Sequence, residues 1–79
     1  MIWLFERGAE ALRLETRFDS VHGDYVLVIF WADERVETER FRESAEFDRR
    51  LRTLEQQLAT EHWMQVGPPT ILSEGWKVG

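Results

Sequence analysis

The segment Tyr25 to Trp31, Tyr-Val-Leu-Val-Ile-Phe-Trp, is apolar at every position. Successive side chains of a strand point to opposite sides of the sheet, so a strand of this composition must be covered on both faces. The rest of the chain offers one evident helix, enough for one face. What covers the other face is the question this sequence poses.

A chain of 79 residues is expected to form one domain, and at this size folding buries only about 60% of the surface exposed by the unfolded chain, which makes association attractive. With 43% hydrophobic and 13% aromatic residues, the composition is that of a core-forming domain and not of a disordered segment. The absence of Cys excludes disulfides and thiolate metal sites and fits a reducing compartment, so a cytoplasmic location is expected. Met1 to Phe5 is too short for a signal-peptide core, and the run Tyr25 to Ala32 falls well below the roughly 20 residues of a membrane helix, so no membrane association is expected. The net charge is −5, spread along the chain as nine acids to six bases before Glu43 and six to four from it onward, which gives a polyanion no long-range attraction.

Ile2 to Phe5 is a short apolar run closed by Arg7-Gly8-Ala9-Glu10, and Leu12 to Phe18 alternates, with Leu12, Leu14, Thr16 and Phe18 opposite Arg13, Glu15 and Arg17. After the polar loop Asp19 to Asp24 comes the apolar strand, a reversal at Asp33-Glu34, and an extended segment from Arg35 to Phe41. The period then changes to that of a helix: Ser44 is the expected N-cap, and Phe47, Leu51, Leu54 and Leu58 form one stripe, with Glu46/Arg50 and Asp48/Arg52 spaced for ion pairs. The expected architecture is α+β: a four-stranded antiparallel meander in order 1-2-3-4 (strands about 2–6, 11–18, 25–32 and 35–41), one amphipathic helix over about 45–61 packed on one face, and an irregular Gly/Pro/Trp-containing tail over 62–79.

A two-residue loop at Asp33-Glu34 predicts Trp31 opposite Val36 and Ile29 opposite Thr38; the other turns predict Phe18 opposite Tyr25 and Trp3 opposite Leu14. The helix then covers Trp3, Phe5, Leu12, Leu14, Phe18, Tyr25, Leu27, Ile29, Trp31 and Val36. The second face carries Ile2, Leu4, Val26, Val28, Phe30 and Phe41 among charges, the pattern of an interface core with a polar rim. The expected partner-binding residues are Ile2, Leu4, Arg13, Val26, Val28, Phe30, Glu37, Glu39 and Phe41, and the expected partner is a second copy of the chain or another protein. The competing cover is the tail, with Trp63, Ile71, Leu72 or Trp76 folded over Val28 and Phe30.

The chemistry-bearing residues predict no cofactor, no metal and no catalytic constellation. Asp19, His22 and Asp24 share a loop but match no calcium spacing, and they are what a turn requires in any case. His62 reads as a partner of the helix dipole, and Glu15, Glu37 and Glu39 as a charge ladder neutralised by neighbouring arginines. Arg40, Arg42, Arg49, Arg50 and Arg52, near Phe41 and Phe47, raise a single-stranded nucleic-acid alternative, opposed by the interspersed acids. Four strands followed by a helix is similar in element order to the unit of some dimeric single-strand-binding coactivators, a likeness of topology without a shared motif. A pocket between the sheet and the Trp-rich tail, serving a small-molecule enzyme or binding protein, is the remaining alternative.

Overall fold

Left-handed backbone at Gly8 (φ +59°) and Gly23 (φ +68°) turns the chain twice, and a third reversal uses Glu34 at φ +72°. The computed structural model describes residues 1–69. Within them the order is β1 (Ile2–Arg7), β2 (Glu10–Asp19), β3 (Asp24–Phe30), β4 (Val36–Phe41), α1 (Ser44–Thr60) and β5 (Met64–Gln65). Short turns make sequential strands antiparallel neighbours, and the sheet runs β4-β3-β2-β1-β5. The meander with a helix on one face is therefore the fold, with a short fifth strand added beside β1 where an irregular tail was expected.

The first two hairpins take the register anticipated from sequence, with Trp3 opposite Leu14, Phe5 opposite Leu12, Phe18 opposite Tyr25 and Leu14 opposite Ile29. The third does not. The Glu34 amide donates to the Trp31 carbonyl (3.1 Å) and the Trp31 amide to the Arg35 carbonyl (2.9 Å), which closes a three-residue loop, Ala32 to Glu34, with its last residue left-handed. Phe30, not Trp31, faces Val36, and Ile29 faces Glu37. One residue of slip turns every side chain of a strand over. Val36 leaves the helix side for the open face, while Glu37, Glu39 and Phe41 move to the helix side.

Phe5, Leu12, Leu14, Leu27, Ile29, Leu54, Leu58 and Trp63 form the core between sheet and helix, with Trp3, Trp31, Phe41, Phe47 and Leu51 packed around it. The residue flanking the helix start is Glu43 in extended conformation, without a side-chain cap, so Ser44 is already the first helical residue. At the other end the Trp63 amide reaches the Leu58 carbonyl and the His62 amide that of Ala59, the paired bonds of a left-handed C-terminal cap. His62, at φ +69°, thus shapes the backbone there. That cap drives Trp63 under the helix, where it is 7% exposed; it is a core residue on the helix side and no lid over Phe30. Ile71, Leu72 and Trp76 lie outside the described residues.

Candidate functional site

The open face is ordered in rows across the strands. At the end nearest the β1–β2 turn, Val66, Leu4, Arg13, Phe30 and Val36 stand in line, Val66 joining through its amide bond to the Leu4 carbonyl (2.8 Å). Leu4 is 47%, Val36 58% and Val66 43% exposed, and Met64, opposite Glu6, is 73% exposed. Arg13 lies with its guanidinium 4.1 Å from the Phe30 ring centre and 2.9 Å from Glu15, so the one charge in this row is folded down onto an aromatic face. The next row holds Ile2, Glu15, Val28 and Thr38, and the third holds Arg17, Val26 and Arg40. Val26 is fully buried although the helix is on the other side, as expected where long arginine stems flank a small apolar residue on both neighbouring strands.

The far end of the face is ionic. Arg40 Nη1 donates to Asp19 and Asp24, both at 3.1 Å. Asp19 also accepts from the amides of Val21 and His22 and sits 2.8 Å from His22 Nδ1. The His22 ring and then the Arg40 guanidinium hold the Asp19 carboxyl well below the usual carboxylate range, and Asp19 and then Asp24 push Arg40 up. The loop carboxylates are thus committed to one another's turn and to Arg40, and among the described residues no acid, His and Cys grouping is arranged for a metal ion.

Of the anticipated partner-binding residues, Ile2, Leu4, Arg13, Val26, Val28 and Phe30 share this face. Glu37, Glu39 and Phe41 do not: their registers with Ile29, Leu27 and Tyr25 place them on the helix side. There Glu39 takes both Arg50 donors (2.8 and 2.9 Å), raising the Arg50 pKa and replacing the expected Glu46 to Arg50 pair. Phe41 packs on Phe47, whose ring also stacks on Tyr25 at 5.1 Å. The same flip separates Glu15 from Glu37 and Glu39, and it scatters the arginine cluster: Arg40 is bound on the open face and Arg50 on the helix face. His22 and His62 stand at opposite ends of the sheet, beyond β2 at one end and beside Arg7 at the other. Val36, Met64 and Val66 join the open face without having been anticipated. Only the hydrophobicity of Met64 and Val66 hinted at a strand there, since Gly67-Pro68-Pro69 follows at once.

No family model, curated protein or solved structure matches this chain. Among the described residues no helix is long and apolar enough to cross a membrane. A cleft of about 200 Å³ opens at the turn end of the molecule, between the β1–β2 turn, the β3–β4 loop and the end of α1, with Trp31 and Trp63 in its walls.

Proposed function

We propose that this is a non-enzymatic association module that pairs with a second copy of itself through the open sheet face. The observation that supports this most is the row Val66, Leu4, Phe30 and Val36, apolar at one end of a face that the helix does not touch, with Val66, Leu4 and Val36 exposed and Phe30 half-buried beneath Arg13. A sheet of five strands, about 4.8 Å apart and about 20 Å long, offers a footprint of roughly 400 Å². That is about half the roughly 800 Å² per partner of a standard specific interface, the area of a weak, reversible dimer.

The charges set the orientation. Arg17 and Glu6 lie on this face toward opposite ends, and neither has an ion pair among the described residues. A two-fold axis in the interface, across the strands at the level of Leu14, sets Arg17 of one copy beside Glu6 of the other. The same operation lays the exposed apolar row over Ile2 and Val28 of the partner.

Sedimentation velocity across a concentration series tests the reading. The wild-type chain is expected to move from monomer to dimer at any salt concentration, whereas Leu4→Glu and Val36→Glu, placed at exposed positions that leave the core intact, stay monomeric. A wild-type chain that remains monomeric at high concentration, or a dimer that tolerates both substitutions, refutes it.

A further inference from the structure

Two kinds of local irregularity meet at the turn-end cleft. The indole N–H groups of Trp31 and Trp63 are buried without a hydrogen-bond partner, and they are the unsatisfied buried side-chain atoms among the described residues. Both rings wall the same cleft. The left-handed non-glycine residues, Glu34 and His62, lie in the loop and the helix cap that present those rings. A buried donor left unpaired carries its full desolvation penalty, and strained backbone persists only where surrounding structure holds it. The left-handed residues are accounted for by the hairpin loop and the helix cap; the two unpaired donors in the walls of one cleft are not, and they mark a binding site more than a packing fault.

The rings are at present capped by guanidiniums. Arg7 lies 4.5 Å from the Trp63 ring centre and Arg35 5.3 Å from that of Trp31. Each is held by a carboxylate at the rim, Arg7 by Glu10 (3.0 Å) and Arg35 by Asp33 (2.9 Å), through solvent-exposed pairs of little individual strength. Arg35 can swing away at small cost; Arg7 is tied more firmly by its second bond to the Glu61 carbonyl at 3.0 Å.

We propose that the cleft binds a neutral, planar heterocycle with carbonyl acceptors and ring N–H donors on its edges, of the size of a pyrimidine base. Its flat face replaces the Arg35 guanidinium on the Trp31 indole, a displacement that opens the buried Trp63 N–H to one of its carbonyls, and its N–H groups donate to Glu10 or Asp33. Charge selects against an anion, because Glu10, Asp33 and Glu61 outnumber Arg7 and Arg35 in the lining. A simple ammonium or guanidinium group takes only the ring faces, as Arg7 and Arg35 already do, and leaves the indole N–H groups unpaired. The net charge of −5 opposes a base delivered on a phosphate backbone, so the ligand is the free base or nucleoside. The site lies at the turn end and on the helix side, and it stands or falls independently of the dimer face.

The test is a titration of the ¹⁵N-labelled full chain followed at the indole N–H resonances, with Trp31→Phe and Trp63→Phe for assignment. Uracil is expected to move the Trp31 or Trp63 resonance downfield and saturably, leaving Trp3 in place. The analogue 1,3-dimethyluracil, which keeps the carbonyls and loses both donors, is expected to bind several-fold more weakly, as is uracil to Glu10→Gln and Asp33→Asn, whose exposed positions leave the fold intact. Indole resonances unmoved by millimolar uracil overturn the proposal. So does benzoate binding better than uracil, which makes the cleft an anion site, or an oligouridylate binding far more tightly with steep salt dependence, which makes the ligand a single strand.

Discussion

Replacing Glu34 with Gly should stabilise the protein, and the reason lies in the loop that sets the register of β4. Glu34 stands at φ +72°, a conformation that costs an L-residue about 1–2 kcal/mol, whereas Gly adopts it freely and loses about 0.5–1 kcal/mol in chain entropy. The net expectation for Glu34→Gly is a gain of about 0.5–1 kcal/mol, or a rise in Tm of roughly 2–8 °C for a domain of this size. Asp33→Gly supplies the control. Asp33 is not left-handed, and its carboxylate accepts the Arg35 amide at 3.1 Å, so glycine there loses a bond and gains only disorder. It should destabilise by about 1 kcal/mol. In a two-residue loop of the common hairpin type both residues are left-handed, and both substitutions would stabilise. Urea unfolding followed by tryptophan fluorescence, with unchanged slope, separates the outcomes. Stabilisation by Asp33→Gly would show that β4 pairs in the other register and that Glu37 and Glu39 face outward, and a loss with Glu34→Gly would refute the left-handed backbone at Glu34 on which the reasoning rests.

Leu54 is fully buried in the core, so Leu54→Ala should cost about 2–5 kcal/mol, a large part of the stability of so small a domain, and Leu51→Ala, at the half-buried edge, distinctly less; equal midpoints for the two variants in urea would contradict this packing. Asp19 has its pKa depressed from an ordinary 3.8, so its stabilising contribution is fully present above that value and is lost as pH falls toward the lower folded value. The gap in unfolding midpoint between wild type and Asp19→Asn should therefore narrow steadily on acidification below about pH 4, and a gap that stays constant would mean that its ion pairs with His22 and Arg40 contribute nothing.

The parts of the fold legible in sequence were those fixed by strong local periodicity. Alternation over Leu12 to Phe18 and the helical stripe from Phe47 to Leu58 each admit one orientation, and the glycines at 8 and 23 locate the first two turns. Val36-Glu37-Thr38-Glu39-Arg40-Phe41 admits two, because neither of its faces is apolar, and the residue that decides between them, Glu34, carries no mark of the left-handed backbone that it adopts. The same ambiguity misassigned Glu37, Glu39 and Phe41 to the open face and hid Val36. A pocket between the sheet and the Trp-rich tail was open as an alternative, but its lining was illegible for a different reason: Arg7, Trp31 and Trp63 are far apart in sequence and meet where the helix cap turns Trp63 inward and β5 returns the chain to β1.

That return has a kinetic side. The contacts among β1, β2, β3 and β4 join neighbours in the chain, which close quickly, whereas β5 pairs Met64 with Glu6 and Gln65 with Phe5 across almost the whole described length. Two residues of ladder are too short to hold themselves, so they are expected to form after the helix has docked and its left-handed end has aimed Trp63 inward. β5 is in this sense a latch that shuts last and opens first, and its opening frees the β1 edge and loosens the Trp63 wall in one event.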